Sequence, residues 1–409
     1  MNMPTTLTRP KDSYDYLIVG GGMVADSAAK AIQQVDPNGA IGIVGSDPDE
    51  PVTRPALTKK LWTDPEFTVD QVWLKTVEQT GADLVCGVQV DAIDRAAHQI
   101  EAAGRAIGYR RLLLATGGEP KRLDLPDDDR ILTFRTFADY QRLRRLAGNR
   151  HRIAVVGGGY IGSELAAALV ANDTEVEFIH PQKLIYEDSF PSHLARQLTD
   201  LYQQKGVSLR SGTMITGGSA GPAGIQLTTD AGDQIDADAA VIGVGITPNT
   251  ELAEQAGLSV DDGVVVDSYL TTSDPAILAA GDVARYPDRL LGRQRVEHVD
   301  NAEQMGRQAG RNLAGAGEPY TYTPYFYSVL FGNRYEAIGT LDPSAELVEN
   351  WSDDHQQGVV YYRDGRSGVV QGVLLWNVDG RTDDARSVIA RSSSGDLAPD
   401  DLTTAISTH

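Results

Sequence analysis

The chain has 409 residues, 41% of them hydrophobic, which suits a globular protein of two or three domains. Its 57 acidic and 36 basic side chains give a formal net charge of −21, which excludes a surface that broadly attracts nucleic acid. The negative charge therefore predicts no nucleic-acid partner. No apolar run approaches the roughly 18 residues that a membrane-spanning helix needs, so we also predict no membrane span.

Two features bear on the environment of the protein. The first 16 residues, MNMPTTLTRPKDSYDY, contain no apolar signal core, so we predict a cytoplasmic location. The 40 Asp and only 8 Lys fit a high-salt cytoplasm and an ordinary acidic enzyme equally well, because charge bears on solubility and not on fold.

A strand, a glycine turn and a helix are predicted near the N-terminus. Residues 16–19 (YLIV) form a buried strand, residues 20–22 are three glycines, and Met23–Val35 has a helical pattern. The sequence PNG at 37–39 ends the helix, and residues 40–44 form the next strand.

This strand-turn-helix pattern predicts a nucleotide-binding fold. Gly20 permits the tight turn, Gly22 lets a pyrophosphate approach the helix N-terminus, and the small Ala25 allows helix and strand to pack closely. An acid after the second strand binds ribose hydroxyls in such folds, and Asp47 stands at that distance. Ser46 is the alternative.

Cys86 is the only cysteine, which excludes an intrachain disulfide, a redox-active cysteine pair and a cysteine-built metal site. It lies in an apolar stretch, so we interpret it as a buried core thiol. We identify no metal site.

A second glycine turn lies 137 residues after the first. Arg152–Val156 is predicted as a strand, and Gly157, Gly159 and Gly162 then occur at the full G-x-G-x-x-G spacing, before a helix and a strand over 175–179. Two such turns in one chain predict two dinucleotides held face to face, as in a flavin enzyme that a nicotinamide reduces.

The end of this second strand leaves the choice of coenzyme open. An acid there would favour NAD and an arginine NADP, but the chain has His180, Gln182 and Lys183. Gln182 suits a ribose hydroxyl, whereas His180 and Lys183 would attract phosphate; we favour NAD(H) over NADP(H). Glu164, in the first turns of the helix, either stabilises the helix dipole or has a role in the site.

Several segments outside the glycine turns resemble the FAD-dependent pyridine nucleotide-disulfide oxidoreductase superfamily. They are residues 54–62 (RPALTKKLW), 114–118 (LATGG), 243–249 (GVGITPN) and 277–284 (ILAAGDVA). The cysteine-free branch, with the ferredoxin and rubredoxin reductases, fits best. Residues 295–302, 335–339 and 372–377 look like the apoptosis-inducing-factor group of that branch.

The resemblance implies an α/β fold with two Rossmann-like nucleotide-binding domains and a C-terminal α+β domain. The FAD-binding domain is expected at 14–118 and 246–318, the NAD(P)-binding domain at 119–245, and the C-terminal interface domain at 319–409. The last domain has β-type runs at 358–362 and 369–376, and residues 392–395 (SSSG) are predicted as a loop.

The resemblance also implies the catalytic pair. Lys59 would approach the flavin N5 edge, and Glu164 would reach it from the nicotinamide domain. The expected FAD contacts are Gly20, Gly22, Ala25, Ser46, Asp47, Arg54, Lys59, Val90, Thr116, Gly117, Asp282, Glu297, His298 and Tyr327. The expected NAD(P) contacts are Gly157, Gly159, Tyr160, Ile161, Gly162, Glu164, His180, Gln182 and Gly245.

Two positions depart from the family pattern. A Trp-Ser-Asp-like stretch near the flavin is replaced by residues 326–329 (FYSV), which changes the aromatic cover and removes the acid. His180 stands where the strand-end Glu of the nicotinamide domain is expected.

We therefore predict an FAD-dependent NAD(P)H oxidoreductase that passes electrons, without a redox disulfide, to a quinone, an iron-sulfur protein or oxygen. One alternative is a ferredoxin or rubredoxin reductase of an electron-transfer chain. The other is a redox-sensing flavoprotein whose assembly responds to NADH. Analogy with the family implies a homodimer.

Overall fold

The computed structural model describes residues 10–408, and the chain divides into two compact units. Unit 1 contains the chain up to Arg54 together with residues 68–119 and 247–324, and unit 2 contains 55–67, 120–246 and the chain from Tyr325 onward. The prediction that no signal core is present falls mostly on the first nine residues, which lie outside the described part. The domain boundaries expected from the sequence stay predictions.

Unit 1 is built on a mainly parallel sheet. Its strands are Ser13–Val19, Ile41–Val44, Asp83–Val85, Val90–Asp94, Gln99–Ala102, Arg105–Leu114, Val264–Val265, Ile277–Ala279, Ala284–Asp288 and Gly292–Gln294. Its helices are Met23–Val35, Thr76–Thr80, Glu251–Gln255 and Val299–Leu313, with short 3₁₀ turns at Val69–Gln71 and Gly281–Val283. Two short strands, Gly118–Pro120 and Ile246–Pro248, lie where the chain passes from one unit to the other.

The parallel part of this sheet places the first glycine turn at a strand end. Ser13–Val19 lies between Ile41–Val44 and Arg105–Leu114, and Ile277–Ala279 pairs with the far side of Arg105–Leu114. All these pairings are parallel, so the carboxyl ends of the strands share one edge. The helix Met23–Val35 has the predicted bounds, whereas the strand before it begins earlier than predicted.

Two helices of unit 1 approach each other closely enough to require glycine. A Cβ on Gly310, in Val299–Leu313, would stand 2.3 Å from the Ala28 carbonyl oxygen of Met23–Val35. This backbone contact fixes the long helix against the helix that follows the first glycine turn.

Unit 2 combines a second parallel sheet with an antiparallel one. Its helices are Pro55–Thr58, Lys60–Thr63, Phe137–Leu146, Tyr160–Val170, Ser192–Gln204, Thr382–Ser394 and Leu402–Ala405, with a 3₁₀ turn at Pro399–Asp401. Its strands are Ile131–Thr133, Arg152–Val156, Glu175–His180, Ser208–Ser211, Ile215–Gly221, Gly224–Thr229, Gln234–Ala237, Ala239–Ile242, Tyr325–Leu330, Asn333–Gly339, Glu346–Trp351, Gly358–Arg363 and Val370–Trp376.

The parallel sheet of unit 2 repeats the arrangement of unit 1. Arg152–Val156 lies between Glu175–His180 and Ala239–Ile242, and all three run parallel. The second glycine turn follows Val156, as predicted, and leads into Tyr160–Val170. The buried residues of Arg152–Val156 and Ala239–Ile242 are all apolar, and one face of the sheet packs against the antiparallel strands Ile215–Gly221, Gly224–Thr229 and Gln234–Ala237.

The C-terminal part is a five-stranded antiparallel sheet with a helix against it. Tyr325–Leu330 is the edge strand, and it pairs with Asn333–Gly339. The fold class predicted from the sequence, two Rossmann-like folds and a C-terminal α+β part, is confirmed.

One local prediction in this part is wrong, because residues 392–394 are helical. The helix Thr382–Ser394 ends at Gly395, whose φ of 78° provides a left-handed C-cap. The buried Val388 and Ile389 hold the helix, and the Ser392 hydroxyl accepts a hydrogen bond from the Val370 backbone N–H. Packing therefore overrides the weak helix propensity of the serines.

Within residues 10–408, no helix is long and apolar enough to cross a bilayer.

Candidate functional site

The first glycine turn has a backbone that only glycine tolerates. Gly20 has a φ of +119°, and a Cβ there would stand 2.1 Å from the Ala115 carbonyl oxygen. Gly22 is the N-cap of Met23–Val35 and provides no side-chain cap. The atom nearest to a Cβ on Gly22 is Nη2 of Arg54, 3.7 Å away. A helix N-terminus and a guanidinium therefore face the same space.

The candidates that follow the second strand lie in unit 1 with this turn. Asp47 is partly exposed, and its carboxylate lies 4.0 Å from Arg54. Ser46 is exposed. Both ribose-binding candidates thus follow the strand Ile41–Val44, and one of them, Asp47, lies next to Arg54, the cation beside the helix N-terminus.

Two further loops of unit 1 reach the same sheet edge. Asp282 lies in the 3₁₀ turn after Ile277–Ala279, and a Cβ on the preceding Gly281 would stand 2.4 Å from Val24. This contact places Asp282 beside the start of the helix after the first turn. Thr116 exchanges two hydrogen bonds with Asn249, of 2.8 and 2.9 Å, which fixes the segment that carries Gly117.

The remaining unit 1 candidates have partners within the protein. Glu297 is exposed and pairs with Arg295 at 2.6 Å. His298 is the N-cap of Val299–Leu313, and its Nδ1 accepts from the Asp300 backbone N–H at 3.4 Å. Val90 is buried at the start of its strand. The flavin-contact roles expected for these side chains stay predictions.

The second glycine turn uses all three glycines of its motif. Gly157 has a φ of +113°, and a Cβ there would stand 2.3 Å from the Gly243 carbonyl oxygen. A Cβ on Gly162 would stand 1.9 Å from the Gly157 carbonyl oxygen, so this glycine sets the close packing of helix on turn. Gly159 caps Tyr160–Val170 without a side chain, and nothing lies within 4 Å of where its Cβ would be.

The other candidates near the second turn differ in exposure. Tyr160 and Ile161, the first two helical residues, are exposed although both are large and hydrophobic. Gly245 has a φ of +99°, and its carbonyl oxygen accepts from the Lys121 backbone N–H.

The end of the second strand of unit 2 has an acidic neighbourhood. His180 is buried, and burial lowers the pKa of its imidazole, so it does not supply a positive charge at neutral pH. Gln182 donates through Nε2 to Asp188 at 2.8 Å, while its Oε1 is buried without a hydrogen-bond partner among the described residues. Glu187 accepts from the Lys183 backbone N–H.

The Lys59 ammonium and the Glu164 carboxylate form a close ion pair within unit 2. Lys59 Nζ donates to Glu164 Oε2 at 2.6 Å, and the two side chains are 17% and 3% exposed. Thr58 Oγ1 donates to the same oxygen at 2.5 Å, and Ser328 Oγ donates to Oε1 at 2.7 Å. Three donors therefore satisfy a buried carboxylate that would otherwise be costly to hold.

Tyr327 lies between two cations. Lys59 Nζ is 5.4 Å from its ring centroid, and the Arg334 guanidinium is 5.0 Å from it. Arg334 in turn pairs with the buried Glu336 at 2.6 Å and with Asp379 at 3.1 Å. The Tyr327 ring is thus held in place by two cations.

Sequence reasoning did not select Thr58, Ser328 or Arg334 as site residues. Thr58 adjoins Lys59 and Ser328 adjoins Tyr327, so proximity to selected residues was the only available signal. No signal in the sequence pointed to Arg334, because its contact with Tyr327 is made between the neighbouring strands Tyr325–Leu330 and Asn333–Gly339.

Both glycine turns fit an anionic dinucleotide. Each opens a helix whose N-cap is a glycine that provides no side-chain cap, and the second turn leaves open space at its capping glycine. The first turn adds the Arg54 guanidinium, and the second adds the orphaned Gln182 oxygen. These groups match a diphosphate at one turn and a diphosphate with a ribose hydroxyl at the other.

Comparison with known proteins decides the family. The pyridine nucleotide-disulphide oxidoreductase family matches residues 14–306. The chain belongs to this family. Apoptosis-inducing factor 1, mitochondrial, of Dictyostelium discoideum is 30% identical over 423 residues, covering 93% of this chain and 79% of that protein.

Two further proteins of known function or structure are similar to this chain. The ferredoxin–NAD(+) reductase component of the anthranilate 1,2-dioxygenase system of Burkholderia cepacia is 33% identical, covering 79% of this chain and 81% of that protein. The crystal structure of the covalent putidaredoxin reductase–putidaredoxin complex matches with a TM-score of 0.83 and 27% identity over 94% of both chains. The chain is an FAD-dependent NAD(P)H oxidoreductase, as the sequence predicted.

The single cysteine separates this chain from family members that act through a disulfide. Cys86 is half-buried and not in the core as the sequence predicted, and its Sγ–H donates to the Asp49 carbonyl oxygen at 3.4 Å. Burial, followed by the nearby carboxylates of Glu50, Asp47 and Asp49, raises the pKa of the thiol to about 11. The thiolate, which is the reactive form, is therefore scarce at neutral pH.

We expect Cys86 to be inert. At pH 8 a pKa of about 11 leaves roughly one thiol in a thousand ionised, so iodoacetamide should label the folded protein far more slowly than the unfolded protein. The variant Cys86→Ala should keep its FAD content and its NADH-dependent turnover within about twofold. A tenfold loss of turnover at unchanged FAD content would contradict an inert thiol.

Proposed function

We propose that this chain uses NADH to reduce its FAD and passes the electrons to a small iron-sulfur protein. The names of its relatives support this acceptor: one is a ferredoxin–NAD(+) reductase component, and a similar solved structure is a complex of a reductase with putidaredoxin. The single cysteine supports a direct transfer from the flavin. A quinone and oxygen are the competing acceptors.

The ion pair of Lys59 and Glu164 carries the proposal. Bound FAD would supply the chemistry that takes up a hydride and passes its electrons on. We propose that Lys59 stands at the N5 edge, where its ammonium stabilises negative charge that collects on the reduced ring. Glu164 holds the ammonium at 2.6 Å, and Thr58 and Ser328 hold the carboxylate.

The remaining candidates keep the roles proposed for them. The unit 1 candidates would bind FAD through the first turn, with Arg54 on its phosphates, and Tyr327 would cover the ring. The candidates around the second turn would bind the nicotinamide coenzyme. The expected domain boundaries, the homodimer and the cytoplasmic location stay predictions.

The strand end of unit 2 supports NADH over NADPH. A 2′-phosphate would lie near Asp188, which accepts from Gln182, and near Glu187, and both carboxylates would repel it. A 2′-hydroxyl would instead donate to the unpartnered Gln182 Oε1. Buried His180 adds no charge, so Lys183 is the cation that this segment offers against two acids.

Anaerobic stopped-flow measurement tests the proposed acceptor. We expect NADH to reduce the flavin rapidly, and putidaredoxin to reoxidise it faster than menadione or oxygen does. Rapid turnover with menadione and none with putidaredoxin would assign the chain to quinone reduction. A reduced complex that persists with every acceptor would support the redox-sensing alternative.

Replacing Lys59 should slow flavin reduction. Because removal of one preorganised donor typically costs about 100-fold in rate, we expect Lys59→Ala to be reduced by NADH at least about tenfold more slowly. The measurement is the single-turnover rate of flavin bleaching at saturating NADH.

The neighbouring lysine provides the control for this measurement. Lys60 is exposed and lies over the Phe67 ring, so Lys60→Ala removes the same charge one residue away and should change the rate less than twofold. If Lys59→Ala is reduced as fast as the parent, Lys59 has no part in the hydride step.

The acids beside Gln182 should set the coenzyme preference. We expect the parent to have a higher kcat/KM for NADH than for NADPH, and Asp188→Asn to lower that ratio roughly three- to tenfold by removing a repulsive charge. Asp200→Asn, an exposed acid on the helix Ser192–Gln204, is the matched control and should leave the ratio unchanged. A parent that prefers NADPH would refute the argument.

A further inference from the structure

A row of aromatic side chains crosses the C-terminal antiparallel sheet. The row occupies directly opposite positions on the five neighbouring strands, in the order Ser328, Tyr335, Trp376, Gly358 and Trp351. Opposite residues of an antiparallel sheet point to the same face, so these positions form one line across that face. Four strand spacings make the line about 19 Å long. We call Tyr335, Trp376 and Trp351 the aromatic row, and the proposed function does not use it.

Gly358 allows the row to continue to the edge of the sheet. A Cβ on Gly358 would stand 2.3 Å from Cε3 and 2.5 Å from Cζ3 of Trp351, so the indole ring covers the glycine. On the next strands, the rings of Trp376 and Tyr335 are stacked, with their centroids 6.3 Å apart and an interplanar angle of 8°. The three rings therefore follow one another along the line, and only a glycine separates the two indoles.

The inner end of the row adjoins the Lys59–Glu164 pair. Ser328, which lies opposite Tyr335, donates to Glu164 Oε1 at 2.7 Å. Tyr335 and Trp376 are 1% and 3% exposed, and Tyr335 Oη is buried without a hydrogen-bond partner among the described residues. An oxidised tyrosine must release its phenolic proton, whereas an indole can lose an electron and keep its N–H. Trp376 is therefore the first residue of the row that can hold a positive charge.

The outer end of the row has a proton acceptor. Trp351 is partly exposed, and its Nε1–H donates to Glu349 Oε2 at 2.6 Å. The same oxygen lies 3.4 Å from Nε2 of the exposed His193. An indole that loses an electron becomes far more acidic at its N–H, so its proton can pass to the Glu349 carboxylate and leave a neutral radical. Trp351 thus combines a proton acceptor with access to solvent.

The chemistry of the rings fixes what the row can conduct. Aromatic side chains give up an electron far more readily than they accept one, so the row cannot carry the reducing electrons of NADH. It can pass electrons inward to a strong one-electron oxidant. The reduction of oxygen by NADH, one of the competing reactions, gives hydrogen peroxide. Peroxide and ferrous iron then form ferric iron, hydroxide and the hydroxyl radical, which is such an oxidant.

We propose that the aromatic row is a one-electron path that protects the Lys59–Glu164 site by moving oxidising equivalents to the surface at Trp351. This inference rests on the proposed function, which brings NADH, oxygen and iron to the protein. A hydroxyl radical takes an electron from Trp376 and becomes hydroxide. Trp351 returns an electron to Trp376 and passes its N–H proton to Glu349. A reductant in solution, such as ascorbate, then supplies an electron to Trp351, and Glu349 returns the proton. The net reaction converts a hydroxyl radical and ascorbate into water and the ascorbyl radical.

Laser flash photolysis of the FAD-loaded protein tests the path. Blue light makes bound FAD a strong one-electron oxidant inside the site, so no added radical attacks the surface directly. We expect the parent to form a neutral tryptophan radical, seen by its visible absorption, whose decay rate rises in proportion to ascorbate concentration. Trp351→Phe should lose this ascorbate-sensitive radical. Trp376→Phe, which leaves Trp351 in place, should lose it as well.

Two further variants control the measurement. Trp73 is a partly exposed tryptophan of unit 1 outside the row, so Trp73→Phe should behave as the parent does. Glu349→Gln keeps a hydrogen-bond acceptor for Trp351 but takes up no proton, so its radical should have the absorption of the cation and decay faster without ascorbate. A merely structural role of Glu349 would not change the protonation of the radical. FAD content and melting temperature establish that each variant is folded.

Aerobic turnover with NADH, ferrous iron and ascorbate tests the protection. We expect the single-turnover rate of flavin reduction to be lost sooner in Trp351→Phe than in the parent. Trp73→Phe should lose it at the parental rate.

Three outcomes would overturn the proposal, and they differ in what they leave standing. If the parent forms no ascorbate-sensitive radical, or if Trp376→Phe and Trp351→Phe keep it, the path is wrong, while rapid flavin reduction by NADH keeps the proposed function. If the radical forms as expected but the parent and Trp351→Phe lose activity equally fast, the protective role is wrong. If NADH does not reduce the flavin, the proposed function fails and the protective role fails with it.

Discussion

The buried carboxylate of Glu164 is the constraint on which the arrangement of unit 2 depends. It accepts hydrogen bonds from Thr58 and Lys59 on one side and from Ser328 on the other. These donors come from segments more than 100 residues away in sequence, so one side chain joins the nucleotide-binding helix to the lysine segment and to the C-terminal sheet. A buried charge without its partners typically costs about 3 to 5 kcal/mol, and this penalty selects the one packing in which all three donors meet.

The helix that carries Glu164 is itself held in position by its glycines. Because a Cβ on Gly162 would collide with the Gly157 carbonyl, the helix lies as close to the turn as the backbone permits. Its N-terminus then faces open space at Gly159, its middle presents Glu164, and Asn172 beyond its end contacts Trp62. One helix therefore spaces the second glycine turn, the ion pair and the contact with Trp62 along a single axis.

How far the sequence predicts this site depends on how local each signal is. The glycine turns, the helix Met23–Val35 and the strand Arg152–Val156 could be predicted because their patterns lie within a few residues. Ser328 could not be placed on Glu164, because that contact depends on how an antiparallel sheet packs against a distant helix. The burial of His180 could not be predicted either, because the local sequence at the end of a strand is the same whether the histidine is buried or exposed. The prediction of a loop at 392–395 was wrong because the burial of Val388 and Ile389 outweighs the low helix propensity of the three serines.

The distribution of charge decides recognition more than its total does. An acidic partner approaching this chain meets a long-range repulsion from the net charge of −21 and a short-range attraction from residues 142–152, which contain five arginines and no acid. At physiological ionic strength the Debye length is about 8 Å, so charges spread over the whole surface are largely screened from the partner, while charges close to it are screened less. Salt therefore weakens the repulsion more than the attraction, because the acidic residues that repel the partner lie farther from it than the arginines do. Two acidic proteins can therefore bind each other when basic residues are concentrated where the two touch, whereas the same total charge spread evenly would keep them apart.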